Sequence, residues 1–400
     1  MSLVQDCPLG WTAIGTVDVC DQHESCRTGV LHTYRMQRSD SNDGELNNLM
    51  KQFWSLEAIG ITPRVDQQLN PHERLAVNKV NDSMRFTGER YEVAVSWKQD
   101  RLHLQSNRQM AEKRLRSVEK KLMQEKTLAQ AYQSTIDDYI GKGYIREVLE
   151  VEPKPASEWF LPHFPVVRPE KSTTKVRIVF DGSAQQDGKS LNTESLPGRK
   201  SQSDIVDILV NFRKESFALV GDVTQMYHQL ILRPVDRPLH RFLYKNLDSD
   251  DSPRVFEFQR FIFGGCYCPF CVQYVWQKHA EFNMETYPLA ARAVLEHCYM
   301  DDLMPSAPSV EEAKETKKQL TELGDKVGFH IRKWVSNDVN VIADIKEEDR
   351  ASEIDLEKRE LPTTKTLGVL WCVPQDTKMT SSSSGTLCSL MDLNSPKEMS

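Results

Sequence analysis

The sequence has no long hydrophobic run. Its longest apolar stretches are as short as residues 217–220 and 261–263, whereas a transmembrane helix needs about 20 apolar residues in succession. Residues 1–10 also lack the basic-then-apolar order of a secretory signal. We therefore expect an intracellular protein, in the simplest case cytoplasmic, that is neither secreted nor inserted in a membrane.

Cysteine is also scarce. Nine cysteines in 400 residues are an odd number and too few for a disulfide framework. Cys266, Cys268 and Cys271 lie close together, but their spacing is not a usual zinc motif and no second ligand pair follows at zinc-finger distance. The sequence favours packed thiols in a reducing compartment over a zinc site. The weaker zinc alternative would add His279, His297 and Cys298.

Positive charge is not in excess. The formal net charge of −7 is opposite in sign to that of strongly basic nucleic-acid-binding domains. The charges are unevenly placed, because residues 248–251 and 347–360 are acidic, whereas residues 101–126 and 168–200 lean basic. Since the local field at a groove matters more than the net charge, the composition counts against a nucleic-acid-binding function without excluding it.

Apolar residues recur at helical spacing in five segments. The predicted helices span residues 45–59, 107–125, 132–140, 271–284 and 310–327. The second of them is so highly charged that a solvated scaffold helix is its simplest interpretation. Ser309 and Glu312 predict a capping box at the start of the last helix.

Short alternating or apolar segments predict strands between these helices. They span residues 175–180, 217–223, 241–244 and 255–263, and residues 298–304 are expected to form a further, short hairpin. The third and fourth are expected to form a hairpin around a polar turn. Because strands and helices are interspersed without regular βαβ alternation, the fold class expected is α+β.

Composition divides the chain into four regions. We expect a loop-rich segment, a mostly helical connector, the α+β domain and a serine-rich disordered tail. Their bounds are residues 1–30, 31–135, 136–375 and 376–400.

Two adjacent aspartates stand in an apolar context. Asp301 and Asp302 are flanked by residues that favour a strand, where an unpaired carboxylate is costly to bury. A tight hairpin turn would accommodate them, and a bound cation would offset their repulsion. Asp222 ends another apolar strand upstream, so three carboxylates could share divalent ions for two-metal chemistry. The alternative is a solvated turn without function.

The order of several motifs resembles that of reverse transcriptases. Residues 299–302 (YMDD) resemble the Y-x-D-D box of retroviral and retrotransposon enzymes. The other motifs occur in family order. They are the fingers (175–177, 181–183, 190–192), the preceding aspartate motif (217–230), the glycine-rich segment (261–270) and the primer-grip hairpin (367–371). The most similar class is the BEL/Pao LTR retrotransposons, which residues 53–57, 88–93 and 161–167 also resemble.

The resemblance implies a fold and an activity. The fold would be fingers and palm with an antiparallel palm sheet backed by helices, and the activity RNA-directed DNA synthesis. The catalytic residues would be Asp222, Asp301 and Asp302. Together with the backbone of Val223, they would bind two Mg²⁺ or Mn²⁺ ions. The partners would be a primed RNA or DNA template and deoxynucleoside triphosphates.

The resemblance also assigns a nucleotide site. Lys175 and Arg177 would contact the triphosphate, with a pair of surface cations as the alternative interpretation. Tyr227 would be the steric gate against a ribose 2′-hydroxyl, or else part of the palm core. Gly264 would let the backbone approach the nucleotide. Phe263 departs from the polar side chain of retroviral enzymes.

Other departures concern the remaining domains that a complete retrotransposon would encode. No D-[ST]-G protease signature occurs, and after Trp371 the expected thumb gives way to the serine-rich segment. We therefore expect a fragment of a polyprotein that also contains protease, RNase H and integrase, in a virus-like particle. The alternative is a catalytically inactive relic that folds as a palm and at most binds nucleic acid. A third interpretation is a partner-binding protein that uses its charged helices.

Overall fold

The computed structural model divides the chain into two units, residues 1–68 and 69–400. Lys175, the predicted helix at 45–59 and the tail at 376–400 lie outside the described residues. The structure describes residues 2–7, 10–15, 69–100, 104–167, 176–246, 252–351, 363–366 and 369–372.

The first unit contains an antiparallel hairpin. Strands β1 (Ser2–Cys7) and β2 (Gly10–Gly15) pair along their whole length, from Ser2 opposite Gly15 to Cys7 opposite Gly10. Both strands lie within the segment, residues 1–30, that the sequence analysis predicted to be loop-rich. Neither segment alternates clearly, but both contain residues that favour strands, and a two-residue connection suffices for an antiparallel pair.

The second unit begins with helices and two short strands. Helix α1 starts at a complete capping box, in which Asn70 Oδ1 accepts from the Glu73 amide at 2.9 Å and Glu73 Oε2 accepts from the Asn70 amide at 2.9 Å. The helices predicted at 107–125 and 132–140 are confirmed, the second beginning earlier than expected. The elements are α1 (Pro71–Ser83), β3 (Arg85–Phe86), β4 (Tyr91–Val93), α2 (Arg108–Gln124) and α3 (Lys126–Gly141).

Two antiparallel arrangements follow. Strands β6 and β7 form one hairpin, and the other sheet has the order β10-β11-β5. The predicted hairpin of residues 241–244 is confirmed, but its second strand ends at Phe258 because the next residues turn to bury Phe261 and Ile262. The strands of these two arrangements are β5 (Ile145–Glu147), β6 (His163–Val167), β7 (Val176–Phe180), β10 (Arg241–Tyr244) and β11 (Arg254–Phe258). Strand β9 (Ile231–Leu232) instead pairs in parallel with β4.

A central sheet is built around strand β8 (Phe217–Val223), whose bounds match the prediction. Its order is β12-β13-β8-β14, and β15 also pairs with β8. Helices α6, α7 and α8 pack in succession, and α8 contacts β8 and β15. Its other strands are β12 (Cys298–Tyr299), β13 (Asp302–Leu303), β14 (Ser306–Ala307) and β15 (Ile331–Ser336). The helices are α4 (Leu191–Glu194), α5 (Ile205–Phe212), α6 (Cys268–Phe282), α7 (Pro288–Glu296), α8 (Val310–Asp325) and α9 (Val339–Ile342).

A final hairpin pairs β16 (Thr363–Thr366) with β17 (Val369–Cys372). Trp371 is buried against Phe212, with ring centroids 4.9 Å apart. The expected α+β class is therefore confirmed at the level of mixed helices and mostly antiparallel sheet. Among the described residues, no helix is long and apolar enough to cross a membrane.

One buried charge network stabilises the β10-β11-β5 sheet. Glu257, 2% exposed, accepts from Arg146 at 3.0 Å and from Arg241 at 3.1 Å. Each arginine also pairs with an outer carboxylate, Arg146 with Glu152 at 2.8 Å and Arg241 with Glu158 at 3.0 Å. The buried negative charge is therefore fully compensated.

Candidate functional site

The central sheet brings the three predicted aspartates together. Asp302 on β13 lies directly opposite Asp222 on β8, and residues directly opposite in an antiparallel pair have their Cβ atoms about 5 Å apart. Asp301 occupies the turn between β12 and β13, where its carbonyl accepts from the Val223 amide at 2.8 Å. Met300 completes the turn with a left-handed φ of 56°. Residues about 80 positions apart in sequence thus become neighbours.

Gly221 explains how Asp222 comes to lie in the middle of the sheet. A Cβ at this position would meet Ile331 Cγ2 at 2.8 Å and the Trp334 ring at 3.0 Å. The absent side chain therefore lets β15 pack closely against β8 on the side away from β13. Arg332 on β15 pairs in register with Asp222.

The electrostatics of the site are those of crowded acids. Asp301 is exposed at the turn, but the protein around its carboxyl displaces water and raises its pKa, and the negative charge of Asp222 raises it further. The cations Lys333 and Arg177 act in the opposite direction on the same pKa. A divalent cation would relieve this repulsion in the same way, with more charge.

Lys333 is a site residue that the sequence did not reveal. Its ammonium donates to Asp222 Oδ2 at 2.7 Å. It reaches that position because the β15–β8 register shifts between Arg332 and Val335 and Lys333 adopts a left-handed φ of 56°. In the sequence Lys333 is simply one of two adjacent cations in a strand, and only the bulge sets it apart.

The donor set suits a hard divalent cation. Asp222, Asp301 and Asp302 offer carboxylate oxygens, the ligands that Mg²⁺ and Mn²⁺ prefer. Within the described residues, no group of three or more His, Cys, Asp or Glu side chains is arranged so that it could hold a metal ion. The Asp222 carboxylate is engaged by Lys333. A divalent ion would compete with this ammonium for the same oxygen.

Tyr227 lies beside the aspartates. Its ring meets Phe263 edge-on, with centroids 4.4 Å apart, and Phe263 remains 42% exposed. Burial is the main cause that raises the pKa of Tyr227, and the charges of Cys268 and Asp301 contribute. Tyr227 therefore stays a neutral, half-buried hydroxyl near the acids. Both a wall for a ribose and a core position are compatible with this environment.

Gly264 lies where two chain segments approach most closely. Its φ is +125°, and a Cβ would meet the Phe180 carbonyl oxygen at 2.1 Å. Asn192, which the sequence analysis named only as part of the fingers motif, fixes this loop. Its Nδ2 donates to the Gly264 carbonyl at 3.0 Å and its Oδ1 accepts from the Cys266 amide at 2.9 Å. The long sequence separation left no local signal for this contact.

Of the two predicted triphosphate contacts, only Arg177 is described. It is exposed on β7, and its positive charge acts on Asp301 and on Tyr139. Its strand neighbours Ile178 and Phe180 are buried, so the strand presents the guanidinium outward. Lys175 lies outside the described residues.

The cysteines form no metal site in the part of the chain that the structure describes. Cys268 and Cys271 are fully buried, and burial raises the pKa of Cys268 to about 12 and also raises the pKa of Cys271 well above its ordinary value. Cys266 is only partly buried and contacts Ser195 Oγ at 3.3 Å. Cys268 and Cys271 are thus packed as buried thiols.

The whole chain was compared with protein-family models and with curated proteins. No protein-family model matches the chain, and no curated protein matches it either.

Proposed function

We propose that residues 136–375, which follow the helical connector, are the fingers and palm of an RNA-directed DNA polymerase of an LTR retroelement of the BEL/Pao class. The observation that carries the proposal is the cross-strand pairing of Asp302 with Asp222, with Asp301 in the adjoining turn. The ordered resemblance of the motifs supports the same assignment. In this proposal the β8-centred sheet with α6–α8 is the palm. The β6–β7 hairpin, against which α2 and α3 pack, belongs to the fingers.

The proposed cofactors are two Mg²⁺ or Mn²⁺ ions. Asp222, Asp301 and Asp302, with the backbone carbonyl of Val223, would hold them. When bound, such ions activate an attacking hydroxyl and neutralise charge on the leaving phosphate. The protein's own part is to hold the carboxylates on a rigid sheet, since Gly221 and the β15 pairing fix the position of Asp222.

The proposed substrates are deoxynucleoside triphosphates and a primed RNA or DNA template. Arg177 would orient the triphosphate and offset charge that develops during phosphoryl transfer. Tyr227 and Phe263 would form the wall that a ribose 2′-hydroxyl cannot pass. Gly264, held by Asn192, would present backbone to the nucleotide. Protease, RNase H and integrase of the same polyprotein are the proposed protein partners.

Primer extension tests the proposal. With oligo(dT) annealed to poly(rA) and Mg²⁺ or Mn²⁺, the protein is expected to incorporate dTTP, and Asp301→Asn is expected to abolish incorporation. Tyr227→Ala is expected to keep incorporation but to admit ribonucleotides more readily. Salt-sensitive binding of the primed template without any extension would instead favour the inactive relic.

A further inference from the structure

Helix α2 is firmly attached to the protein by one face. Ala111 and Leu115 are buried with Phe160 and Leu243 in a separate small hydrophobic cluster. Through this face α2 packs against β6 and β10. Leu122 extends the buried face into the main core. The exposed face is therefore presented by a rigid scaffold rather than by a loose segment.

The exposed face of α2 carries charge of one sign. The only acids of the helix, Glu112 and Glu119, are half-buried, and Glu112 pairs with Arg108 at 3.0 Å. At about 100° per residue, Lys113, Arg116 and Lys120 fall on a strip opposite the buried face. The exposed charged residues are Arg108, Lys113, Arg114, Arg116, Lys120 and Lys121.

Helix α8 shows that this is not the general character of the surface. It has 16 residues against 17 in α2, but its exposed face mixes both signs, with acids in excess. Its exposed charged residues are Glu311, Lys314, Glu315, Lys318, Glu322 and Asp325. In a chain of net charge −7, six exposed cations on one helix form a distinct local field.

We infer that the outer strip of α2, defined by Lys113, Arg116 and Lys120, binds the phosphate backbone of a nucleic-acid duplex. Across the described ranges, no carboxylate pairs with these three side chains, so their mutual repulsion is left for an external anion to relieve. The strip is about 10 Å long at 1.5 Å per residue. This suits several successive phosphates of a polyanion.

The chemistry of the strip favours a nucleic acid over a membrane. A membrane-surface helix needs a broad apolar face beside its cations, whereas Met123 is the one large apolar residue that α2 exposes. The identity of the partner rests on the proposed function, because a template–primer is the polyanion that such an enzyme must hold. Binding by the strip is sequence-independent, since phosphates carry no base information.

The test measures binding of a labelled RNA–DNA hybrid by fluorescence anisotropy over a series of salt concentrations. The variant is Lys113→Gln/Arg116→Gln/Lys120→Gln. The matched control, Lys314→Gln/Lys318→Gln/Lys346→Gln, removes the same charge from other exposed positions. The strip variant is expected to bind at least about tenfold more weakly near 0.1 M salt, with a salt slope smaller by about 2 to 3. The control is expected to bind like the wild type.

Equal weakening in both variants would overturn the inference, because net charge alone would then govern binding. Unchanged binding of the hybrid by the strip variant would also overturn it. So would a preference of the wild type for phosphatidylserine vesicles over the hybrid that the strip variant loses. Both variants alter only exposed side chains, and circular dichroism melting checks that they fold. The anisotropy assay measures binding and requires no polymerisation. If the wild type failed to extend a primer, the proposed function would be rejected, but the binding measurement would still test the role of the strip.

Discussion

Two groups of carboxylates in this protein are treated in opposite ways. Glu257 is almost inaccessible to water and accepts hydrogen bonds from two arginines, each of which also pairs with a second carboxylate. The charge of Asp222 raises the pKa of Asp301, whereas those of Lys333 and Arg177 lower it, and Lys333 donates directly to Asp222. The first group is paired with arginines, whereas in the second group two carboxylates repel each other.

The two groups of carboxylates are expected to have different roles in the protein. A buried carboxylate with complete partners is required by the fold, and its removal damages stability. Carboxylates that repel one another on a rigid sheet lower the stability of the fold. Such an arrangement is typical of a functional site. The predicted effects of mutation should therefore separate, with activity lost at the aspartates and stability lost at Glu257.

The largest expected effect is on activity at Asp301. Asp301→Asn removes one ligand charge and is expected to lower primer extension at least about 10³-fold, because metal ligation contributes several kcal/mol to such reactions. Its thermal midpoint should stay constant or rise slightly, since the repulsion with Asp222 is relieved. Steady-state incorporation measures the activity, and a melting curve measures the thermal midpoint.

Asp137→Asn, at an exposed helical position, is the control and should change neither activity nor thermal midpoint. If Asp301→Asn kept more than a tenth of the activity, the assignment would be contradicted.

The next effect is on stability at Glu257. Glu257→Ala leaves Arg241, itself 7% exposed, without its buried counter-charge, and is expected to lower the free energy of unfolding by about 3–5 kcal/mol. Urea denaturation measures this loss. If the variant lost less than about 1 kcal/mol, the contrast between the two carboxylate groups would disappear.

A smaller effect is the pH dependence of stability at Glu152, whose pKa is lowered, in contrast to the raised pKa of Asp301. The Arg146 guanidinium holds the pKa of Glu152 at about 2, well below its ordinary 4.5. The stabilisation is therefore complete above pH 4.5 and is lost as the pH falls towards about 2. We expect about 1 kcal/mol at neutral pH, since the pair is partly exposed. In urea denaturation, Glu152→Gln should be less stable than the wild type at pH 6, and the difference should vanish near pH 2; a difference independent of pH would refute this origin.

The smallest expected effect is at Lys333. Because its ammonium competes with a divalent ion for Asp222 Oδ2, Lys333→Met should tighten Mn²⁺ binding by up to about fivefold, the range of an exposed ion pair. Calorimetric titration measures the affinity. Lys326→Met, at another exposed lysine, provides the control. Weaker Mn²⁺ binding by Lys333→Met would mean that the lysine supports the site rather than competing for it.

The sequence predicted what local pattern determines. The apolar run of residues 217–223 became β8 with the same bounds. The adjacent Asp301 and Asp302 favoured a hairpin turn, which the structure contains. In these cases each residue's neighbours in sequence are sufficient to define its environment.

Other features depend on contacts that a single sequence does not display. Lys333 reaches Asp222 through a bulge that the pairing of β15 with β8 creates, and Asn192 reaches Gly264 across 72 positions. The β1–β2 hairpin was missed because its segments alternate weakly. Each of these features is determined by tertiary pairing rather than by local preference.

Binding of Mn²⁺, followed by electron paramagnetic resonance, tests the central claim most directly. If Asp222, Asp301 and Asp302 form one divalent-cation site, the wild type binds Mn²⁺ and both Asp222→Asn and Asp302→Asn lose that binding while keeping the fold. Equal Mn²⁺ binding by the wild type and by these two variants would contradict the account.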